Sequence, residues 1–196
     1  MINNLAKRFA DRLLENGSIP EDEQELYIYG LFMLLSSLMY LILACFLGCI
    51  LGCVLESIIF YIAFQFIRRY AGGYHASTET RCEILSTLSI LACIAVIRLS
   101  KTNDFQIVLF VVSAVSAVCI FTLCPLDTPE KPLAKKEFKY FRKISWLILS
   151  VISLVIIISY FVQLKWLRIF FTPCCLSLIL ECILLVAGKL KKVAVK

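Results

Sequence analysis

Long apolar runs dominate the chain, and short polar segments separate them. Six runs are each about long enough to cross the ~30 Å hydrocarbon core of a bilayer. They cover residues 26–47, 49–67, 84–100, 105–123, 144–163 and 167–187. The pattern predicts an all-α, polytopic integral membrane protein with about six transmembrane helices, in a single membrane domain over residues 1–196. Only a turn around residues 48–52 separates the first two runs, which predicts a tight hairpin or a partly re-entrant segment.

The N-terminal segment has an amphipathic pattern rather than a continuous apolar run. Residues 2–15 carry apolar side chains at helical spacing with charged residues between them. The apolar positions are Ile2, Leu5, Phe9 and Leu13. We therefore expect an interfacial helix over residues 1–17, closed by Gly17. The segment lacks the continuous apolar core of a signal peptide, so insertion is expected to rely on the six runs.

Composition supports a membrane class and argues against nucleic acid as a partner. Apolar residues make up 61% of the chain and charged residues 17%, against roughly 45–50% and about 25% in soluble domains. The net charge is +6, but the basic residues form small groups between apolar runs instead of a stripe or an arginine-rich arm. Their placement is typical of charges that orient a protein in the bilayer.

The basic residues also predict an orientation in the cell membrane. Sixteen of the 20 Lys and Arg residues fall on the side that would hold both termini, and four fall on the other side. The four are Arg98, Lys101, Lys165 and Arg168. The positive-inside rule then predicts that both termini and the segments 68–83 and 124–143 face the cytoplasm, where thiols stay reduced.

Most of the ten cysteines lie inside apolar runs, where a free cysteine behaves as a small hydrophobic residue. The chain has no C-x-x-C pair and a single histidine, so neither a metal site nor another cofactor site is predicted. Cys82 and Cys124 stand apart, because they lie at or near polar loops.

The segment 68–83 holds a pair of residues suited to nucleophilic chemistry. His75 is the only histidine, and Cys82 follows it by seven residues. One continuous helix would hold the two about 10 Å apart, beyond hydrogen-bond reach. A dyad therefore requires a break in the chain. Gly72 and Gly73 would allow the break, and Ser77 or Thr78 could then cap a helix that carries Cys82.

The surroundings of Cys82 are expected to activate its thiol. A helix N-terminus favours the thiolate, and so do nearby cations, for which Arg81, Arg68 and Arg69 are the candidates. A thiolate pairs with an imidazolium in cysteine proteases. Backbone N–H groups freed by the glycines, or an arginine, could stabilise an oxyanion.

The segment 124–143 has two parts. Residues 124–132 contain three prolines and are expected to be extended, and residues 133–143 could form a short basic amphipathic helix. That helix could be anchored by anionic lipid. Alternatively, this region could bind an acidic peptide through Lys131, Lys135, Lys136 and Lys139. Asp127 could orient the imidazole of His75 or serve only the turn between two prolines.

The run RRYAGGYHASTETRC, residues 68–82, resembles the core of the accessory gene regulator B (AgrB) family of membrane cysteine endopeptidases. That core combines basic residues with Gly-x-His and a cysteine seven residues after the histidine. The later run CPLDTPEKP looks like the proline-rich cytoplasmic loop of the same family. The chain length, the six runs and the N-terminal amphipathic helix are also similar.

The resemblance implies a catalytic dyad of His75 as general base and Cys82 as nucleophile, supported by Arg68 and Gly73. It implies action on a short AgrD-type precursor peptide, whose C-terminal tail is removed through a thioester acyl-enzyme. Ring closure to a thiolactone or lactone would then give a quorum-sensing autoinducing peptide.

Other functions and an oligomer stay open from the sequence. A small six-helix transporter or permease is suggested by the six runs and by Glu56 and Glu181 within them, although no internal repeat supports it. A non-catalytic membrane chaperone or receptor subunit is a further alternative. The helix bearing Glu56 could also pair with a second copy of the chain in a homodimer.

Overall fold

The computed structural model describes residues 2–74, 78–101, 105–126, 135–162, 164 and 166–194. Within them the chain forms seven α-helices, one 3-10 helix at Glu21–Glu23 and no strand. The α-helices are α1 (Ile2–Glu15), α2 (Gln24–Leu51), α3 (Val54–Ala71), α4 (Glu79–Ser100), α5 (Gln106–Leu123), α6 (Lys135–Phe161) and α7 (Arg168–Ala194). Among the described residues, five helices, α2 and α4 to α7, are long and apolar enough to span a membrane. The predicted all-α polytopic class is confirmed.

Helix α3 corresponds to another predicted span, and it differs from the other five in charge. It is 18 residues long, about 27 Å at 1.5 Å per residue, but it carries Glu56, Arg68 and Arg69. It also begins later than the run 49–67 predicts, because α2 continues to Leu51 and the turn lies at Gly52, whose φ is +66°. The connection between α2 and α3 is therefore a tight hairpin.

Residues 1–43 form one compact unit, which contains α1 and most of α2. Helix α1 has the predicted bounds. It ends where the N–H groups of Gly17 and Ser18 donate to the carbonyls of Leu14 and Leu13, both at 2.9 Å. Gly17 has a φ of +64°, the left-handed conformation that commonly closes a helix. The helix is confirmed, and its place in the membrane interface stays a prediction.

Residues 44–196 form a second unit, in which α7 packs against α3, α5 and α6 and only lightly against α4. Helices α3 to α7 alternate in direction. One end of this unit, here called the loop end, brings together the main chains of Ala71 and Leu126 and those of Tyr74 and Leu184. At the opposite end, Lys101, which follows the last residue of α4, donates a hydrogen bond to the carbonyl of Gly52 in the hairpin turn before α3. Of the helices α3 to α6, α4, which carries Cys82, packs least against α7.

Helix α6 replaces two elements that the sequence pattern separates. The predicted basic helix over 133–143 and the apolar run 144–163 form one helix from Lys135 to Phe161. The second half of the predicted basic loop 124–143 is therefore helical, because no glycine or proline interrupts the chain after Lys135. The rings of Phe141 and Tyr70 lie 5.7 Å apart, which places the start of α6 at the loop end.

Candidate functional site

Seven of the candidate site residues lie in the described part of the chain, and they are placed at the loop end. Arg68 and Arg69 lie in the last turn of α3, Gly73 follows that helix, and Cys82 lies near the start of α4. Three of the lysines lie in the first turns of α6, namely Lys135, Lys136 and Lys139. The remaining three, His75, Asp127 and Lys131, lie outside the described residues.

The break between α3 and α4 meets the requirement that the sequence places on a dyad. Helix α3 ends at Ala71 and α4 begins at Glu79, with Thr78 as its N-cap. The hydroxyl of Thr78 accepts a hydrogen bond from the N–H of Arg81 at 3.4 Å, and its carbonyl accepts one from the N–H of Cys82 at 3.1 Å. Cys82 is partly exposed. Cys82 therefore lies one turn into a capped helix and is not buried by the rest of the protein.

Arg68 is turned onto the main chain that leads into His75. Its Nη1 donates to the carbonyl of Gly72 at 2.7 Å, and its Nη2 donates to the carbonyl of Tyr74 at 2.6 Å. A guanidinium is planar and presents its donors as a fixed fork, so two bonds from it fix the relative position of both carbonyls. Arg68 thereby shapes the segment that precedes the histidine.

Gly72 and Gly73 are both required by this arrangement. Their φ angles are +80° and +135°, which residues other than glycine rarely adopt. A Cβ on Gly73 would collide with the guanidinium of Arg68, and a Cβ on Gly72 would lie 2.8 Å from the carbonyl oxygen of Leu126. A side chain at residue 73 would therefore displace the arginine.

Helix α7 provides the surface on which this segment lies. The N–H of Tyr74 donates to the carbonyl of Leu184 at 2.9 Å. Gly188, one turn further along α7, lets the main chains meet, since a Cβ there would lie 2.9 Å from both Gly73 C and Tyr74 N. The ammonium of Lys191 lies 5.6 Å from the centre of the Tyr74 ring, within cation–π range. Both backbone polar groups of Tyr74 are thus bonded, one to α7 and one to Arg68.

The segment after α5 also reaches the site. The N–H of Leu126 donates to the carbonyl of Ala71 at 2.8 Å. Leu126 is the residue before Asp127 in the chain. The proline-rich segment therefore starts beside the end of α3, next to the two glycines.

An open depression lies beside this junction. It is lined by Thr122, Leu123 and Leu126 on one side and by Lys189, Lys192 and Val193 of α7 on the other. Its α7 side carries two basic residues, Lys189 and Lys192. The sequence pattern gave no sign of it, because its two walls are more than 60 residues apart in the chain.

Glu181 on α7 is the partner of Arg68 that the sequence did not identify. Its carboxylate is fully buried, and its Oε2 lies 3.9 Å from Arg68 Nη1. Within the described part of the chain, neither carboxylate oxygen has a hydrogen-bond partner. The available signal was an acidic residue inside an apolar run, but periodicity does not say which cation such a residue meets.

The second acidic residue inside an apolar run, Glu56, is also paired. Its Oε1 lies 2.5 Å from Lys101 Nζ, at the end of the unit opposite the site. The transporter alternative rested partly on these two carboxylates within apolar runs. Each of them forms an ion pair, Glu181 with Arg68 and Glu56 with Lys101.

Cys124, the other cysteine near a polar segment, is poorly suited to act as a nucleophile. It is 3% exposed, whereas Cys82 is partly exposed. Burial raises the pKa of the Cys124 thiol above its ordinary value, and the Ser145 hydroxyl and the positive charge of Arg142 oppose this effect only in part. Since the thiolate is the reactive form, burial makes Cys124 a poor nucleophile. Among the described residues, no group of acidic, histidine or cysteine side chains could hold a metal ion.

Comparison with known proteins places these features in a family. The model of the family described as accessory gene regulator B matches residues 6–185 of the chain. A protein of Clostridium perfringens strain SM101, provisionally named AgrB-like, is 28% identical over 166 residues, which is 81% of this chain and 77% of that protein. A second protein, from C. perfringens strain 13 and provisionally named AgrB-like protein 2, is 26% identical over the same shares. No solved structure matches the chain significantly.

Proposed function

The chain belongs to the accessory gene regulator B family, and on that premise we propose that it is a membrane cysteine endopeptidase that processes a short AgrD-type precursor peptide. The observation that carries the proposal is the partly exposed Cys82 on a capped helix, directly after a break in which the residue before His75 is held at both backbone polar groups. A segment fixed in this way can present a histidine to a thiol, whereas a solvated loop histidine would need no such support.

The first chemical step is the attack of the Cys82 thiolate on a peptide carbonyl of the precursor. A bond forms between Sγ and the carbonyl carbon, and the carbonyl oxygen takes the negative charge. His75, which has received the thiol proton, gives it to the leaving nitrogen as the C–N bond breaks. The C-terminal tail departs as an amine, and the N-terminal part stays on Cys82 as a thioester.

The second step closes a ring within the bound peptide. A cysteine or serine side chain of the precursor loses its proton to His75 and attacks the thioester carbonyl, which releases Cys82. The product is a thiolactone or a lactone, a quorum-sensing autoinducing peptide. Water must be kept from the thioester, or hydrolysis would compete with ring closure, and a site at the surface of the bilayer favours that exclusion.

The supporting roles follow from the contacts of the loop end. Arg68 and Gly73 shape the segment before His75, and Arg69 adds positive charge nearby. Asp127 is proposed to orient the imidazole, and this is supported by the anchoring of Leu126, its neighbour in the chain, at Ala71. The lysines of the basic segment are proposed to hold the acidic part of the precursor, namely Lys131, Lys135, Lys136 and Lys139.

The orientation is part of the same proposal. The loop end holds the starts of α4 and α6 and the ends of α3 and α7, which carry most of the basic residues of the second unit. The charge bias then favours a multi-pass protein of the cell membrane with the loop end and both termini in the cytoplasm. The precursor peptide would reach the site from that side.

The test is co-expression of the chain with a precursor peptide encoded beside it, in the wild type and in the variants Cys82→Ala and His75→Ala. Each variant is expected to abolish cleavage at unchanged membrane content. Mass spectrometry of the wild type should show the N-terminal part of the peptide attached to Cys82. Normal cleavage by either variant would exclude the proposed dyad, and Cys124→Ala serves as the matched control that keeps cleavage.

A further inference from the structure

Glu181 is fully buried in a membrane-spanning helix, and the described residues around it offer its carboxyl group one ion pair and no hydrogen bond. In the described part of the chain, Arg68 is its only ion-pair partner, with 3.9 Å between Nη1 and Oε2. Neither oxygen has a hydrogen bond there. A charged group at such a depth is costly and is retained where it serves a purpose. Packing does not supply one, because an apolar residue of similar size would fill the same space at less cost.

The other side of Arg68 shows what the ion pair can do. Two of its nitrogens donate to the carbonyls of Gly72 and Tyr74, at 2.7 Å and 2.6 Å. The Arg68 side chain is 19% exposed, so it could also turn toward water. The Glu181 carboxyl group lies on the protein side of the guanidinium and favours the position in which Arg68 reaches both carbonyls.

Glu181 also shares a helix face with the other contacts of this segment. Glu181, Leu184 and Gly188 follow the i, i+3, i+7 spacing of one face of a helix. The carbonyl of Leu184 binds the N–H of Tyr74, and Gly188 lets the main chain approach. One face of α7 therefore contacts the segment before His75 at Leu184 and Gly188, and it contacts Arg68 through Glu181.

We propose that Glu181 is a positioning residue of the peptide-cleaving site, which acts through Arg68 on the main chain that leads into His75. The inference rests on the proposed function, since the site it supports is that of the endopeptidase. Glu181 lies on α7, whereas Cys82 lies on α4, and among the described residues the ion pair of Glu181 is with Arg68. Its effect is on the place and orientation of the histidine.

The experiment uses the full chain in proteoliposomes, with a synthetic copy of the precursor encoded beside it and with N-ethylmaleimide as a thiol probe. Glu181→Gln keeps the size of the side chain and removes its charge. Its maximal rate of cleavage is expected to fall by about tenfold to a hundredfold, as for a displaced catalytic group. The half-saturating peptide concentration is expected to stay within about twofold of the wild type, because the peptide-binding residues are untouched.

Glu56→Gln is the matched control. It removes the other paired carboxylate of the membrane region, which lies at the opposite end of the unit beside Lys101. We expect its maximal rate to equal that of the wild type. Glu181→Asp restores the charge and is expected to recover much of the rate lost in Glu181→Gln. Equal losses in Glu181→Gln and Glu56→Gln, or a wild-type maximal rate in Glu181→Gln, would overturn the proposal.

A second variant covers the case in which Glu181→Gln fails to accumulate because it leaves Arg68 without its partner. The double variant Arg68→Gln/Glu181→Gln removes both charges together. If Glu181 acts only through Arg68, the double variant cleaves at the rate of Arg68→Gln alone. A double variant that is slower by about tenfold would show that Glu181 acts by another route, which would overturn the proposal.

The same series separates this inference from the proposed function. Normal cleavage by Cys82→Ala or His75→Ala sinks the proposed function, whatever Glu181 does. Loss of cleavage in those two variants with normal kinetics in Glu181→Gln sinks only the positioning role. N-ethylmaleimide labelling of Cys82 is expected to slow in Glu181→Gln and in His75→Ala but not in Glu56→Gln. This labelling reports on the position of the histidine in the absence of peptide.

Discussion

The Nη2 atom of Arg68 donates a hydrogen bond to the carbonyl of Tyr74 across 2.6 Å. Tyr74 is the residue immediately before the only histidine of the chain. A side chain in the last turn of α3 therefore fixes the main-chain carbonyl of the residue before that histidine. Lysine cannot reproduce this geometry, because its N–H donors all lie on one nitrogen, whereas Arg68 binds the two carbonyls through two nitrogens held in one plane.

Arg68→Lys is therefore expected to lower the rate of precursor cleavage by about tenfold to a hundredfold. The charge that pairs with Glu181 is kept, so the protein should still accumulate in membranes. Cleavage of a co-expressed precursor, normalised to membrane content, measures the effect. Arg98→Lys, in the last turn of α4 at the opposite end, is the control. Wild-type cleavage by Arg68→Lys would show that the two carbonyl contacts are dispensable.

Gly188→Ala is expected to slow cleavage without removing any functional group. The added methyl would lie 2.9 Å from Gly73 C and Tyr74 N and 2.6 Å from a methyl of Leu126, so the segment before His75 must move off α7. Gly30→Ala adds the same methyl to α2, where nothing lies within 4 Å. Peptide cleavage by the two variants at equal membrane content is the measurement, and equal rates would argue against α7 as the support of the site.

Cys82 and Cys124 are expected to differ in their reaction with N-ethylmaleimide. Burial raises the pKa of Cys124, so at pH 7 its thiolate fraction lies below that of an ordinary thiol and grows only as the pH rises above the usual thiol range, about 8.5. Peptide mapping after short exposure should therefore find Cys82 labelled first at pH 7, with Cys124 catching up in alkali. Equal labelling of the two cysteines in detergent-unfolded protein is the control. Equal labelling of the folded protein would contradict the proposal that Cys82, and not Cys124, is the nucleophile.

Charge reversal in the first turns of α6 tests the peptide-binding role of the basic segment. Lys135→Glu, Lys136→Glu and Lys139→Glu together are expected to raise the half-saturating concentration of an acidic precursor by about tenfold, with a smaller effect at high salt. The maximal rate should be little changed. Arg168→Glu, at the other end of the unit, is the control for charge alone. If cleavage is unchanged, the segment serves as a lipid anchor.

The pair Glu56–Lys101 is expected to act on stability and not on cleavage. The Nζ–Oε1 distance is 2.5 Å, and the two side chains are 15% and 35% exposed. Lys101→Glu should cost about 0.5–1 kcal/mol, the range of a partly exposed ion pair, and Glu56→Lys in the same chain should recover it. Thermal unfolding of the purified protein in detergent measures both, and additive losses would show that the two residues do not interact.

The sequence predicts the helices well and the contacts at the loop end poorly. Helix α1 is predicted over residues 2–15 because its amphipathic repeat is local, and a cap is predicted at Ser77 or Thr78 because capping acts within one turn, with Thr78 as the cap in the structure. The pattern predicts helix in both parts of α6 but not that they form one helix, because the basic amphipathic part and the apolar run follow different patterns. Glu181 and Leu184, which contact Arg68 and Tyr74 from α7, lie more than 100 residues away in the chain, and no local pattern selects them.

The support of Tyr74 by α7 also sets an order of events during synthesis. The ribosome makes α3, the glycines and Cys82 well before Leu184 and Gly188, so the early segments enter the membrane with a thiol but without the surface that shapes the chain next to it. The site is completed only when α7 has been inserted and has docked. A nascent or truncated chain would thus lack the contacts that hold the segment before His75, and the proposed competence to act on a peptide would coincide with the end of assembly.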